Sequence, residues 1–324
     1  MVAVVRIHKT GGPEVLTCED IDIGEPGEGQ IRIKQHACGV NFVDTYYRSG
    51  LYPAPSLPFV NGAEGAGEVI AVGPGVTRWK VGDRVAYTVM HNGYAAERLL
   101  AEDRAVHLPA HISYEQAAGM MLKGMTACYL LRKTFRVERG TRVLIHAAAG
   151  GVGQIACQWA NHLGAEVIGT VGSQAKVDIA KAAGCHHVIN YNEENFAHWV
   201  DEITAGKRCD VVYDGIGAAT YPDSLSCLRP FGLWVLFGQA SGPIENFDFQ
   251  LMGTKGSLFA TRPLLYDYIA APEALNETAA ELFDVIGSGA VKIPISKAYA
   301  LQDAAQAQAD LEARKTTGSI ILKP

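Results

Sequence analysis

The sequence lacks the features of membrane-spanning, secreted and nucleic-acid-binding proteins. No apolar run among its 324 residues approaches the roughly 18 needed for a membrane-spanning helix. The N-terminus has no basic segment followed by an apolar one, as a signal peptide would have. Lys and Arg number 28 against 34 Asp and Glu, and the formal net charge of −6 argues against a nucleic-acid or membrane-surface partner. We therefore expect a soluble, cytoplasmic protein.

The cysteines exclude two further classes of protein. There are seven of them, an odd number, and no two form a Cys-x-x-Cys pair. This scatter argues against a disulfide framework and against a zinc site, and it is typical of reduced, buried thiols.

A glycine-rich turn between an apolar run and a helix-like segment is the most informative feature that is present. Residues 142–145 are β-prone, and the turn Ala149-Gly150-Gly151-Val152 leads into residues 154–163. We expect Gly150 to make a tight turn, and Gly153 to let helix and strand pack closely. The backbone of the turn and the helix N-terminus would then bind the pyrophosphate of a dinucleotide. A glycine triplet alone also fits a surface turn, but the strand before it and the helix after it favour the dinucleotide.

The residues after the second strand favour NADPH over NADH. An NAD site ends this strand with Asp or Glu, whereas here Ser173 and Lys176 follow it. A hydroxyl and an ammonium group suit a 2′-phosphate, and Tyr191 could reach the same place. The alternative is an ordinary helix-capping serine and a solvated lysine. Phe237 and Gly238 end a later strand and should lie along the dinucleotide.

Patterning predicts an α/β protein with two domains. The first hundred residues are rich in strands and turns, whereas strands and helices alternate from residue 142, which is typical of a doubly wound parallel sheet. Beyond residue 264 the alternation breaks, and a short apolar segment, 291–294, precedes a last helix and strand. We predict a β-rich catalytic domain over 1–123, a dinucleotide-binding Rossmann domain over 124–263, and a return to the first domain over 264–324.

Four sequence segments carry a resemblance to a known family. Residues 148–153 followed by Gln158 resemble the signature of quinone oxidoreductases of the zeta-crystallin type, and residues 39–44, 46–53 and 121–126 are similar to the same group. These enzymes belong to the medium-chain dehydrogenase/reductase superfamily. The resemblance implies a GroES-like catalytic domain, a Rossmann domain, an active site in the cleft, and a homodimer joined through the nucleotide-binding domains.

The sequence departs from the zinc-dependent members of that superfamily. Their catalytic cysteine corresponds to Asn41, and their Gly-His-Glu motif reads Gly62-Ala63-Glu64 here. Positions 122–123 hold no cysteine, and no four-cysteine lobe follows Met90. Zinc needs three or four N, S or O ligands, so we expect no metal. Without such a Lewis acid, reduction of an electrophilic acceptor is favoured over alcohol oxidation.

Further site residues are implied by the resemblance. Asn41, Lys123 and Thr126 match positions that hold the nicotinamide and its ribose, although Asn41 could simply cap a turn and Lys123 could be solvated. Tyr46 and Tyr52 resemble walls of the substrate pocket, and the alternative is two core or rim tyrosines. Asn41, Tyr46, Tyr52 and Lys123 are the predicted catalytic residues.

The family's 2′-phosphate pocket maps onto residues from three parts of the chain. Gly172, Ser173, Lys176 and Tyr191 match it within the nucleotide-binding region. Arg314 matches it near the C-terminus, which requires the tail to fold back toward the cofactor.

We therefore predict an NADPH-dependent, zinc-independent quinone reductase acting on a small-molecule quinone. One alternative uses the same machinery to reduce the C=C bond of an alkenal or enone. An alternative of another class is a structural or RNA-binding protein related to the crystallins. The net negative charge of the chain argues against RNA binding. The complete cofactor motif argues against a purely structural role.

Overall fold

The computed structural model describes residues 1–54 and 56–324 of the chain. The strands over these residues are β1 Val2–Ile7, β2 Leu16–Ile21, β3 Gln30–Val40, β4 Phe59–Val60, β5 Glu64–Val72, β6 Arg84–Thr88, β7 Glu97–Ala101, β8 Ala105–His107, β9 Arg142–Ile145, β10 Glu166–Val171, β11 His187–Asn190, β12 Cys209–Asp214, β13 Leu228–Leu236, β14 Phe259–Thr261, β15 Ile295–Ala300 and β16 Ser319–Lys323. The helices are α1 Phe42–Ser49, α2 Tyr114–Ala118, α3 Met121–Tyr129, α4 Gly151–His162, α5 Val177–Ala182, α6 Phe196–Ile203, α7 Asp223–Ser226, α8 Gln250–Thr254, α9 Leu265–Tyr268, α10 Pro272–Gly287 and α11 Ala304–Glu312.

The chain divides into two compact units. The first unit comprises residues 1–123, 269–283 and 293–324, and the second comprises residues 124–268 and 284–292. No helix in the described part of the chain has the length and apolar character needed to cross a membrane.

The second unit contains a six-stranded sheet in which every pair of neighbours is parallel. The strand order is β11-β10-β9-β12-β13-β14. Counted from β9, this is the order 3-2-1-4-5-6 of the doubly wound Rossmann fold. Helices cover both faces of such a sheet, so its central strand β9 carries a buried apolar run, Val143, Leu144 and Ile145. The predicted fold class of this part of the chain is confirmed.

The first unit is built mainly of antiparallel strands. One sheet has the order β15-β16-β3-β5-β6-β8, with β7 also pairing β3, and a smaller sheet has the order β2-β1-β4. Alternate residues of β3 are buried, and Ile31 and Ile33 pack with Val69 and Val85. The C-terminal strand β16 pairs with β3, so the end of the chain completes a sheet that the N-terminal segment begins.

Candidate active site

The turn between β9 and α4 is so tight that only glycine fits at position 153. A β-carbon on Gly153 would lie 2.2 Å from the carbonyl oxygen of Ala147, which is far inside van der Waals contact. The helix can therefore approach the turn closely only with glycine at 153, as the sequence predicts. The left-handed residue of this turn is Ala147, with φ of 53°. Gly150 closes the turn, because its N–H donates to the carbonyl of Ala147 at 2.8 Å, and with φ of −80° and ψ of 177° it is extended rather than left-handed.

The turn places the predicted pyrophosphate-binding residues at the start of α4. Gly150 caps the helix, while Gly151 and Val152 begin it. The first N–H groups of any helix have no acceptor within the helix and are available to an anion. The carbonyl of Ala149 accepts a hydrogen bond of 2.8 Å from the side chain of Gln154, in the first turn of α4.

At the end of β10, a glycine and a tyrosine pack closely against each other. A β-carbon on Gly172 would lie 2.5 Å from the hydroxyl oxygen of Tyr191, so the tyrosine ring packs where a side chain at 172 would stand. Ser173 is extended and caps no backbone N–H with its hydroxyl, which disfavours the alternative that it is an ordinary capping residue. Lys176 closes the turn through its N–H, which donates to the carbonyl of Ser173 at 3.0 Å. Four predicted residues therefore lie together after two adjacent strands.

Two more predicted residues follow the strand β13. The N–H of Phe237 donates to the carbonyl of Asp214 at 2.8 Å, and Gly238 approaches Gly215 so closely that a β-carbon would lie 2.7 Å from the Gly215 oxygen. Because the strands are parallel, the ends of β9, β10, β12 and β13 share one edge of the sheet, where dinucleotides bind in this fold.

Sequence reasoning missed Asp214, which organises this edge. Its buried carboxylate accepts hydrogen bonds from the backbone of Ile216 and Gly217 and from three side chains. These side chains are Thr220, Ser224 and Trp234. A polar residue at the end of a buried strand was the available signal.

His146 extends the same buried network behind the glycine turn. Its ring nitrogens lie 2.9 Å from the Thr170 hydroxyl and 3.0 Å from the Ser224 hydroxyl. Burial lowers the pKa of His146, so its imidazole is held neutral and serves to fix strand ends.

In the first unit, Asn41 and Lys123 meet on one carboxylate. Glu64 accepts hydrogen bonds of 2.8 Å from Asn41 Nδ2 and 2.7 Å from Lys123 Nζ, both on Oε1. Its other oxygen accepts the N–H of Leu122 at 2.7 Å. Asn41 precedes α1 and Lys123 lies on α3, so two distant segments of sequence converge here. This arrangement makes a solvated Lys123 wrong, because the residue is only 6% exposed.

A second buried carboxylate lies beside this group. Asp44 accepts the Asn41 N–H and the Tyr94 hydroxyl, each at 2.8 Å, on Oδ2. Its Oδ1 is buried and has no hydrogen-bond partner among the described residues. Burial raises the pKa of Asp44 to about 7, since a charge is costly where water cannot reach it.

The predicted substrate-wall tyrosines touch each other. The rings of Tyr46 and Tyr52 lie 5.2 Å apart in an edge-to-face arrangement, and Tyr47 contacts Tyr52 at 5.5 Å. Tyr46 stands on α1, the helix that Asn41 caps. Tyr46 and Tyr47 therefore share one helix with the Asn41 cap, while Tyr52 follows the end of that helix.

Two predicted residues make none of the contacts described above. Thr126 lies on α3, three residues after Lys123, and is 6% exposed. Arg314 follows α11 in the first unit, is exposed, and adopts φ of 57°. Their roles toward a cofactor stay predictions.

No group of three or more His, Cys, Asp or Glu side chains suited to a metal ion occurs within residues 1–54 and 56–324. Ala63 is fully buried next to Glu64. The position of a third zinc ligand is taken by Lys123, whose ammonium group would repel a metal cation.

Two family profiles match the chain. The profile described as "Alcohol dehydrogenase GroES-like domain" matches residues 27–135, and that described as "Zinc-binding dehydrogenase" matches residues 151–277. These matches confirm the expected combination of a GroES-like domain with a nucleotide-binding one.

Individual relatives match over the whole chain. The quinone oxidoreductase of Pseudomonas aeruginosa is 52% identical over the full length of both chains. The 2-haloacrylate reductase of a Burkholderia species is 45% identical over 100% of this chain and 99% of its own. The crystal structure of Escherichia coli quinone oxidoreductase complexed with NADPH is 47% identical and superimposes with a TM-score of 0.97, covering 99% of this chain and 100% of that one.

Proposed function

We propose that this chain, which belongs to the quinone oxidoreductase family of the medium-chain dehydrogenase/reductase superfamily, reduces quinones with NADPH. The observation that carries the proposal is the end of β10, where Gly172 and Tyr191 form a close-packed platform and no carboxylate stands. A 2′-phosphate needs donors and positive charge, and it would be repelled by the acid that NAD sites carry.

The residues of the second unit fit the phosphates of this cofactor. The backbone of Ala149, Gly150, Gly151 and Val152 would bind the pyrophosphate at the start of α4. The Ser173 hydroxyl, the Tyr191 hydroxyl and the Lys176 ammonium group would bind the 2′-phosphate. The resemblance to the family adds Arg314 as a further predicted cation for this phosphate. Phe237 and Gly238 would line the dinucleotide with backbone.

The residues around Glu64 and along α3 fit the reacting end of the cofactor. When bound, the nicotinamide supplies the hydride, and a quinone accepts it. Asn41 and Lys123 would orient the nicotinamide ribose, because the buried Glu64 carboxylate fixes both of their polar groups. Thr126, on the same helix as Lys123, would add a hydroxyl. Tyr46 and Tyr52 would offer a flat acceptor two aromatic surfaces and a phenolic hydrogen bond. Orienting two rings lowers the entropic part of the barrier.

A second candidate is reduction of an activated C=C bond. The similarity to the 2-haloacrylate reductase of Burkholderia favours it, since an acrylate is an electron-poor alkene. The two reactions differ in the acceptor that the site holds and in the need to protonate a carbon atom. The quinone reaction is preferred because the aromatic walls offered by Tyr46 and Tyr52 suit a ring.

The reaction is proposed to need no zinc. Lys123 donates to Glu64 at the place where zinc-dependent relatives carry a ligand, and Asn41 and Ala63 fill the other two positions. Neither an amide beside an ammonium group nor a methyl group can complete a zinc coordination shell.

A homodimer formed through the nucleotide-binding units is supported by one edge of the parallel sheet. β14 ends the strand order and pairs with β13, and Phe259 on it is 60% exposed. An apolar edge strand is a template for pairing with a second copy. Sedimentation velocity of wild type and of Phe259→Lys tests this, since the substitution should dissociate the dimer.

A cytoplasmic location is supported by the thiols. All seven cysteines are free, including Cys157 and Cys185, whose sulfur atoms lie 3.3 Å apart without a bond. Such a pair stays reduced in a reducing compartment.

The proposal is tested by following NADPH oxidation in the presence of a small para-quinone. We expect one NADPH to be consumed for each hydroquinone formed. No consumption above the rate without protein would refute the proposed function.

A further inference from the structure

Glu64 is a fully buried carboxylate with three donors around it. It begins β5, and its two oxygens accept hydrogen bonds from Asn41 Nδ2, Lys123 Nζ and the Leu122 N–H at 2.7 to 2.8 Å. The donors come from the cap of α1 and from the first turn of α3. Glu64 therefore joins the two helices that carry the residues proposed to hold the nicotinamide ribose.

The absence of a side chain at Gly39 leaves the space that the Glu64 carboxylate occupies. β3 and β5 are antiparallel, and Gly39 lies opposite Glu64 in the register. A β-carbon on Gly39 would lie 2.2 Å from Glu64 Oε1. The carboxylate therefore fills the space that a side chain at 39 would take, and it has little freedom to move.

The charge of Glu64 requires the donors that surround it. A buried carboxylate is costly unless it is paired and hydrogen-bonded, and here one ammonium group and two N–H groups surround it. In return the carboxylate fixes Lys123, whose four-carbon side chain would otherwise sample many rotamers. It also fixes one N–H of the Asn41 amide and hence the orientation of that amide.

We infer that Glu64 is a positioning residue of the hydride-transfer site, which holds the Asn41 amide and the Lys123 ammonium group in their working orientation. The inference rests on the proposed function. The sequence contained a signal for it, because Glu64 ends the Gly62-Ala63-Glu64 motif, in which Ala63 stands where the zinc-dependent members have histidine. Here the glutamate holds a protein cation, the Lys123 ammonium group.

The test replaces Glu64 with glutamine, which keeps the shape and removes the charge. A glutamine has one carbonyl for three donors, so it cannot hold Asn41, Leu122 and Lys123 together. We expect kcat/KM for NADPH with a para-quinone to fall on the order of 100-fold, mostly in kcat, as for a misplacement of about 1 Å. Circular dichroism and thermal unfolding establish that the variant is folded at the assay temperature.

Glu68→Gln is the matched control, since Glu68 lies on the same strand and face as Glu64. Its kcat/KM should stay within twofold of wild type. A folded Glu64→Gln enzyme with the rate of Glu68→Gln would overturn the inference and leave the proposed function standing. An inactive wild type would instead refute the proposed function.

A double-mutant cycle with Lys123→Met separates positioning from stability. If Glu64 acts through Lys123, adding Glu64→Gln to Lys123→Met should lower kcat/KM far less than it does in wild type. If Glu64→Gln lowers kcat/KM by the same factor in Lys123→Met as in wild type, the inference is overturned. If Glu64→Gln does not fold, Glu64→Asp takes its place. Its carboxylate is one methylene too short to reach all three donors, so a loss of about 10-fold is expected, and a rate equal to wild type would refute positioning.

Discussion

The hydroxyl oxygen of Tyr191 lies where it would be 2.5 Å from a β-carbon on Gly172, so the tyrosine packs directly against the end of β10. In a site for NADH this place belongs to a carboxylate that binds the ribose 2′-hydroxyl. The sequence instead supplies two hydroxyls and an ammonium group after neighbouring strands. The proposed function therefore makes the preference for NADPH depend on a few side chains at the ends of two adjacent strands.

Lys176→Ala should reduce the preference for NADPH. Loss of a charge-assisted hydrogen bond of about 1.5 to 3 kcal/mol corresponds to roughly a 10- to 100-fold rise in KM for NADPH. KM for NADH should change less than about twofold, because NADH has no 2′-phosphate. Lys181→Ala on the following helix α5 is the control of equal charge. Equal effects on both cofactors in steady-state kinetics would contradict the 2′-phosphate assignment.

Asp44 should make the stability of the protein depend on pH. Its pKa is raised to about 7 by burial, so between about pH 4 and pH 7 the folded state binds a proton that the unfolded state has released. The free energy of unfolding should therefore fall as pH rises through that window, by a few kcal/mol in all, and this contribution should stay lost above it.

Asp44→Asn should remove this dependence, because an amide does not titrate. Urea unfolding at about pH 5 and about pH 8 measures it in both proteins. Asp310→Asn is the control substitution. Hydrogen bonding from Tyr299 lowers the pKa of Asp310 to about 2, so this carboxylate changes the unfolding free energy only below about pH 4. If the difference in unfolding free energy between wild type and Asp44→Asn is the same at both pH values, Asp44 does not titrate in this window and the assignment is wrong.

Tyr52→Phe should change quinone kinetics and leave NADPH affinity nearly unchanged. The substitution keeps the ring contact with Tyr46 at 5.2 Å and removes the phenolic hydrogen bond offered to the acceptor. We expect a rise in KM for the quinone of about 5-fold, the value of one neutral hydrogen bond of about 1 kcal/mol. Tyr47→Phe, which removes a hydroxyl from the same aromatic group, is the control. Loss of NADPH binding in Tyr52→Phe, measured by fluorescence titration, would place Tyr52 at the cofactor instead.

Metal analysis should find no stoichiometric zinc in purified active protein. The positions of the three ligands are held by Asn41, Ala63 and Lys123, which cannot bind the ion together. Dialysis against a chelator should leave the rate of quinone reduction unchanged. One bound equivalent of zinc whose removal abolishes activity would overturn the proposed mechanism.

The nucleotide-binding fold was predictable because local signals and long-range packing agree there. The apolar run of β9, the turn and α4 lie next to one another in the sequence, so their pattern is visible without a structure. The sequence did not reveal which residue of the turn carries the positive φ, and here it is Ala147 rather than a glycine.

The buried polar residues could not be assigned from sequence alone. Glu64 and Asp214 each bind donors that come from distant segments, and only the tertiary fold brings those donors together. The start of β15 has a local reason. The short apolar segment 291–294 precedes the strand, which begins at Ile295, directly after Pro294, since proline has no N–H to give to a sheet.

The rate of NADPH oxidation with a para-quinone, measured beside the rate with 2-chloroacrylate and with NADH in place of NADPH, tests the central claim most directly. The proposed function predicts fast turnover with NADPH and the quinone, and slow turnover when either is replaced. Turnover confined to the haloacrylate would contradict quinone reduction and assign the site to double-bond reduction, and equal rates with NADH would contradict the cofactor choice.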